Sequence, residues 1–187
     1  MKFQKIAVGL MVLCAHQAQA FHLEWMSSLI DEPFQPLNVN QLDNAPELFD
    51  CGDNAPMVEF CSSAEVPYYK TPFFAEVSSR EGLQSNLYLY REYSLIAYSD
   101  VMINLRKDGF TLVEAHINDK VFDVREALKN TPSNIVNRDL VRFLNQQAKE
   151  NQRKLIWQKL QTSQAVVSTD RYGLSVTFEY MLPDNDM

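Results

Sequence analysis

Glycine is scarce. The 187-residue chain holds five, and only Gly52, Gly82, Gly109 and Gly173 lie beyond residue 20. A phosphate-cradling loop needs several glycines at close spacing, so nucleotide binding of that kind is excluded. Cysteine and histidine are scarcer, at three each. There is no C-x-x-C pair and no G-x-S-x-G elbow around a serine. Basic residues are outnumbered by acids, 17 to 24, for a net charge of −7. Phosphate repels such a chain, which argues against general nucleic-acid binding. Beyond residue 20 no apolar run approaches the roughly 20 residues that a spanning helix needs.

The first twenty residues have a pattern of their own. Lys2 and Lys5 precede the apolar run Ile6–Ala15, and Ala18-Gln19-Ala20 follows. This is the three-part plan of a bacterial secretory signal peptide. Residues 1–20 are therefore expected to be cleaved, and the periplasm is the expected compartment, with release outside the cell as the alternative. Cys14 follows Leu13, where lipoprotein processing wants a small residue, so it is assigned to the discarded segment.

An exported chain makes a disulfide the expected state of Cys51 and Cys61. Their spacing is too wide for a redox motif, and Asp50, Asp53 and Glu59 alone do not complete a zinc or calcium set. Closing so short a loop is worth about 2.5–3 kcal/mol on the chain-entropy model.

Two unlike halves follow. Residues 21–77 hold Pro33, Pro36, Pro46, Pro56, Pro67 and Pro72. Proline removes a donor and blocks long helices, so this half reads as an extended, clipped arm. Residues 78–187 read as an α+β domain. Ser78-Ser79-Arg80-Glu81 fits a capping box. Leu95, Tyr98, Met102 and Leu105 recur at helical spacing, and Gly109 follows as a terminator. A hairpin turning at Asn118-Asp119 pairs Ile117 with Lys120 and Ala115 with Phe122. Thr131-Pro132 opens a long helix expected to reach Gln161. A second hairpin closes the chain, with Leu174, Val176, Phe178, Tyr180 and Leu182 alternating. The expected fold is two helices packed on an antiparallel sheet of two hairpins, in helix–hairpin–helix–hairpin order.

Candidate sites are sparse. Glu114, His116 and Asp123 share one face of the first hairpin, a trio suited to acid–base or metal chemistry but equally to a solvated face. His22 stands second after the expected cleavage. Copper capture by a terminal amine prefers histidine first or third, so His22 is discounted. Tyr88, Tyr90, Tyr93 and Tyr98 suggest a sugar-stacking surface, but on the expected helix they fall on different sides and read as packing residues. No catalytic, cofactor or metal residue is assigned.

Charge is polarised. Residues 21–76 carry ten acids against Lys70 alone, whereas residues 125–159 carry eight bases against Glu126, Asp139 and Glu150. Arg138, Arg142, Lys149, Arg153 and Lys154 form the expected basic face of the long helix. The functional expectation is a non-catalytic, periplasmic protein-interaction module. It would be an accessory or chaperone-like part of an envelope assembly such as a secretion, pilus or transfer apparatus, taking a partner strand at a sheet edge. The alternative is a small secreted hydrolase or binding protein for envelope sugars or lipids. A polar-lined pocket favours the alternative.

Overall fold

Alternation of buried and exposed side chains marks a half-buried strand, and it runs through most of the chain. In Thr71–Arg80, for example, Thr71, Phe73, Ala75, Val77 and Ser79 are buried, while Pro72, Phe74 and Glu76 face out. A computed structural model describes residues 22–35, 37–52, 57–80, 84–145, 152–160 and 163–181. In chain order they form α1 (Glu24–Ile30), α2 (Val39–Asp43), β1 (Leu48–Asp50), β2 (Val58–Ser62), β3 (Val66–Tyr68), β4 (Thr71–Arg80) and β5 (Gln84–Glu92). There follow α3 (Leu95–Lys107), β6 (Thr111–Ile117), β7 (Lys120–Asp123), α4 (Val124–Asn130), α5 (Ser133–Asn145), β8 (Arg153–Lys159), β9 (Ser163–Thr169) and β10 (Gly173–Met181).

The strands build one antiparallel sheet in the order β1-β2-β4-β5-β10-β9-β8-β6-β7, with β3 paired to the start of β4. The expected order of two helices on two hairpins is therefore wrong. Ser78 and Ser79 are strand residues paired with Asn86 and Ser85, so the capping-box pattern was coincidental. The true cap of α3 is Ser94, whose hydroxyl accepts from the Ala97 amide at 3.1 Å. The long helix also fails. α5 ends at Asn145, and Arg153–Lys159 is a strand with Leu155 and Trp157 buried between outward residues. Lys154, Ile156 and Gln158 alternate with them, and strand period wins over loosely spaced apolar residues.

The extended arm is likewise overturned. In α1, Trp25, Met26, Leu29 and Ile30 are all buried, in the same core as Leu87, Leu89, Val176, Phe178 and Leu105. α1 packs on β5 and β10, and α3 packs against β4. Leu37 is tied in by two buried serines: its amide donates to Ser85 Oγ at 3.0 Å, and its carbonyl accepts from Ser79 Oγ at 3.2 Å. β2 pairs with β4, so the first half of the chain supplies part of the main sheet. The boundary expected between residues 77 and 78 falls inside β4.

Some local readings hold. The β6–β7 hairpin has the pairs Ile117–Lys120 and Ala115–Phe122, and Asn118 adopts a φ of 52°. β9 and β10 form the closing hairpin, with Leu174, Val176, Phe178 and Tyr180 buried. At the end of α3, Gly109 has a φ of 89°, where a side chain would be strained, and the Phe110 amide reaches back to the Leu105 carbonyl at 2.9 Å. Cys51 and Cys61 are bonded, with Cα atoms 5.8 Å apart, and the Cys51 amide donates to Glu59 O at 3.1 Å. The clip thus locks the outermost pair of strands, β1 and β2. Residues 1–20 and Lys149 lie outside the described residues.

Candidate functional site

Among the described residues the helices pack on one face of the sheet, and the other face is left open. Strand register fixes what the open face presents. Phe74 on β4 pairs with Tyr90 on β5, Tyr90 with Ser175 on β10, and Ser175 with Ser168 on β9. Ser168 pairs with Lys154 on β8, and Lys154 with His116 on β6. At the usual strand spacing the stretch from Tyr90 to His116 spans about 19 Å. A second row runs beside it: Glu76, Tyr88, Thr177, Val166, Ile156 and Glu114.

Aromatic rings gather at one end. Tyr90 stacks on Phe74 and on Tyr88, with centroids 5.7 Å apart in each pair and interplanar angles of 28° and 21°. Phe74 and Tyr88 are each 38% exposed and Tyr90 44%. Three large rings in contact thus stay open to water, an exposed aromatic patch of the kind that burial alone does not require.

The groove begins beside this strip. It is open, encloses about 780 Å³, and is floored by Tyr88, Tyr90, Ser168, Ser175, Lys154 and His116. That volume falls within the range of small-molecule sites. Its end is closed by the β6–β7 turn at Asn118 and Asp119 and by the β9–β10 turn at Asp170. The Asp170 carboxylate accepts the amides of Tyr172 and Gly173, both at 2.8 Å, and these bonds hold its pKa below the ordinary value. Asp170 is thus a fixed anion at the rim of the groove that Lys154 also lines.

The structure brings together part of the Glu114–His116–Asp123 trio. His116 Nε2 lies 2.5 Å from Glu114 Oε1, and Arg125 Nη2 lies 3.8 Å from Glu114 Oε2. Asp123 stands opposite Glu114 in register, but its carboxylate accepts the Glu126 amide at 2.9 Å and caps α4. The basic residues are dispersed. Arg138 and Arg142 on α5 both pair with Asp139, at 3.3 and 3.2 Å. Arg153 and Lys154 are on β8, and both line the groove.

The helix expected over Tyr88 and Tyr90 would put them on different sides, which is why the sequence reads them as packing residues; the structure places both on strand β5. At strand period they share a face, and the alternation Leu87-Tyr88-Leu89-Tyr90 is the available signal. Among the described residues no helix is long and apolar enough to cross a membrane. Comparison with protein-family models, with curated proteins and with solved structures finds no match to this chain.

Proposed function

We propose that this protein is an exported, non-catalytic binding module of the bacterial cell envelope, and that its open sheet face holds an extended envelope glycan. The carrying observation is the stacked strip Phe74–Tyr90–Tyr88 running directly into a row of hydroxyl, ammonium and imidazole groups. Sugar rings have apolar C–H faces and polar edges. The strip offers surface for the faces, and Ser175, Ser168, Lys154 and His116 offer partners for the hydroxyls. The signal-peptide pattern and the Cys51–Cys61 bond support export.

Binding without catalysis fits the geometry better than hydrolysis. A nucleophile needs a base within about 3 Å. Ser168 and His116 are two strand intervals apart, about 9.5 Å between backbones, with Lys154 between them. Glu114 is engaged with His116 and Asp123 with a helix cap. Co-sedimentation with insoluble envelope polysaccharide tests the reading. Tyr90→Ala should weaken binding at least tenfold while leaving the fold intact. Equal binding by Tyr90→Ala, or no glycan retained by the wild type, would remove it.

A second reading, a protein partner within an envelope assembly, draws on the outer side of α3. Leu95, Ile96 and Ile103 are 52%, 76% and 49% exposed there. Strand addition is a poor mode, because β1 has three residues and β7 four, and edges this short template little. Cross-linking in envelope extract should capture a defined product that Ile96→Asp abolishes. A monomer alone would count against it.

A further inference from the structure

On the helix-bearing side, remote from the groove, α1 and α3 converge on a buried polar cluster. His22 precedes α1, Asp31 caps its end, and Asp108 caps the end of α3. The His22 side chain is 0% exposed and that of Asp108 1% exposed. Asp108 Oδ2 accepts from Tyr68 Oη at 2.6 Å, and Oδ1 accepts from Tyr69 Oη. His22 lies between the tyrosines, stacked on Tyr68 and edge-on to Tyr69.

The protein partners leave the cluster incomplete. Among the described residues neither ring nitrogen of His22 finds a hydrogen-bond partner, although both are buried. Nε2 faces Asp108 Oδ1 at 3.5 Å, too far for the pair to serve each other well. A buried imidazole with two idle nitrogens is costly. Asp31 brings a second carboxylate, with one ligand atom from each of the three residues within 4.8 Å of the others.

We propose that His22, Asp31 and Asp108 form a binding site for a divalent first-row transition-metal ion, with zinc as its best representative. One imidazole and two carboxylates are a mixed nitrogen–oxygen set, which suits zinc better than the all-oxygen ions calcium and magnesium. Zinc bonds of about 2.1 Å in a tetrahedron put neighbouring ligand atoms about 3.4 Å apart, close to the His22–Asp108 separation of 3.5 Å. Tyr68 and Tyr69 then act as supports, orienting the ligating carboxylate through their hydroxyls. Asp31 is only half-buried and Tyr69 is partly open, so the ion enters from that side. Once bound it ties α1, α3 and the β3–β4 turn together.

The test uses the disulfide-bonded protein, stripped with chelator and titrated with zinc alone. One equivalent should bind. At a hundredfold excess over Kd the melting temperature should rise by about 5–10 °C. Asp31→Asn, at a half-exposed position, should fold normally without metal yet lose at least 30-fold in zinc affinity. His22→Ala should lose it as well, and cobalt should give a tetrahedral visible spectrum only in the wild type. A melting temperature indifferent to zinc would overturn the site, as would zinc affinity unchanged in Asp31→Asn. Binding that needs His22 but neither aspartate would also overturn it, since that points to a terminal amine and imidazole instead. Preference for calcium over zinc would refute the assignment of the ion.

Discussion

Removing the Leu29 side chain tests whether the first helix belongs to the core. α1 has seven residues, too short to hold itself in water, so its existence depends on burial of one face. Leu29 is 1% exposed, flanked by Met26 and Ile30 at 0% and Trp25 at 3%. Leu→Ala at such sites costs about 2.7–5 kcal/mol, less where neighbours can collapse into the gap. A short helix seated on β5 and β10 can shift somewhat, which places the expected loss near 3 kcal/mol. For a chain of this length that lowers the melting temperature by about 6–12 °C. Urea unfolding followed by fluorescence of Trp25 and Trp157 measures it. Both residues are buried, and the m-value checks that the unfolded state is unchanged. Glu24→Ala on the exposed side of the same helix is the control, expected within about 0.5 kcal/mol of wild type. A loss below 1 kcal/mol in Leu29→Ala would refute the packing argument and restore the picture of a loosely attached arm.

Other expectations follow from single contacts. Ser85→Ala leaves the buried Leu37 amide without its acceptor and should cost about 1–3 kcal/mol, whereas an effect below 0.5 kcal/mol would deny the bond any importance. Replacing Cys51 and Cys61 with serine should cost at most about 3 kcal/mol, and hydrogen exchange should rise in β1 and β2 far more than in β9. A uniform rise would contradict an edge clip. Burial raises the Tyr98 pKa above 10.0, so the unfolded chain ionises first and this contribution to stability is lost as pH climbs past about 10. The wild type should therefore lose stability more steeply than Tyr98→Phe above pH 10, by no more than about 1.4 kcal/mol per pH unit, and parallel curves would refute it.

Local chemistry was legible in the sequence, and long-range pairing was not. Asn118-Asp119 between alternating runs specifies a hairpin on its own, and Gly109 behind Arg106 and Lys107 specifies a helix end. Strands β4 and β5 were hidden because Ser78 and Glu81 mimic a helix start by type and spacing. The prolines misled for a different reason. Pro67 and Pro72 face each other across the β3–β4 pair, one step from the two-residue turn, where opposed residues exchange no backbone bonds, so the missing donors cost the pairing nothing. In Leu155-Ile156-Trp157 three successive apolar residues hide the period, and only the polar neighbours on both sides separate strand from helix. The open-face groove draws on β5, β6, β8, β9 and β10, and no spacing along the chain announces a row assembled from five strands. Each strand contributes only one or two of its residues to the floor.

Among the described strands, the last in chain order lies in the middle of the sheet. β10 sits between β5 and β9, so it joins a half made from residues 48–92 to a half made from residues 111–169. Until it arrives, β5 and β9 are both open edges, and α1 lacks part of its seat. At ordinary synthesis rates the wait after residue 92 is roughly 4–16 s. A chain ending at residue 172 should therefore be digested rapidly by protease at a concentration the full chain resists, and equal resistance would show that the two halves stand alone. If they cannot, premature closure is prevented by strand order itself. The sheet then locks only when β10 pairs with β5 on one side and β9 on the other.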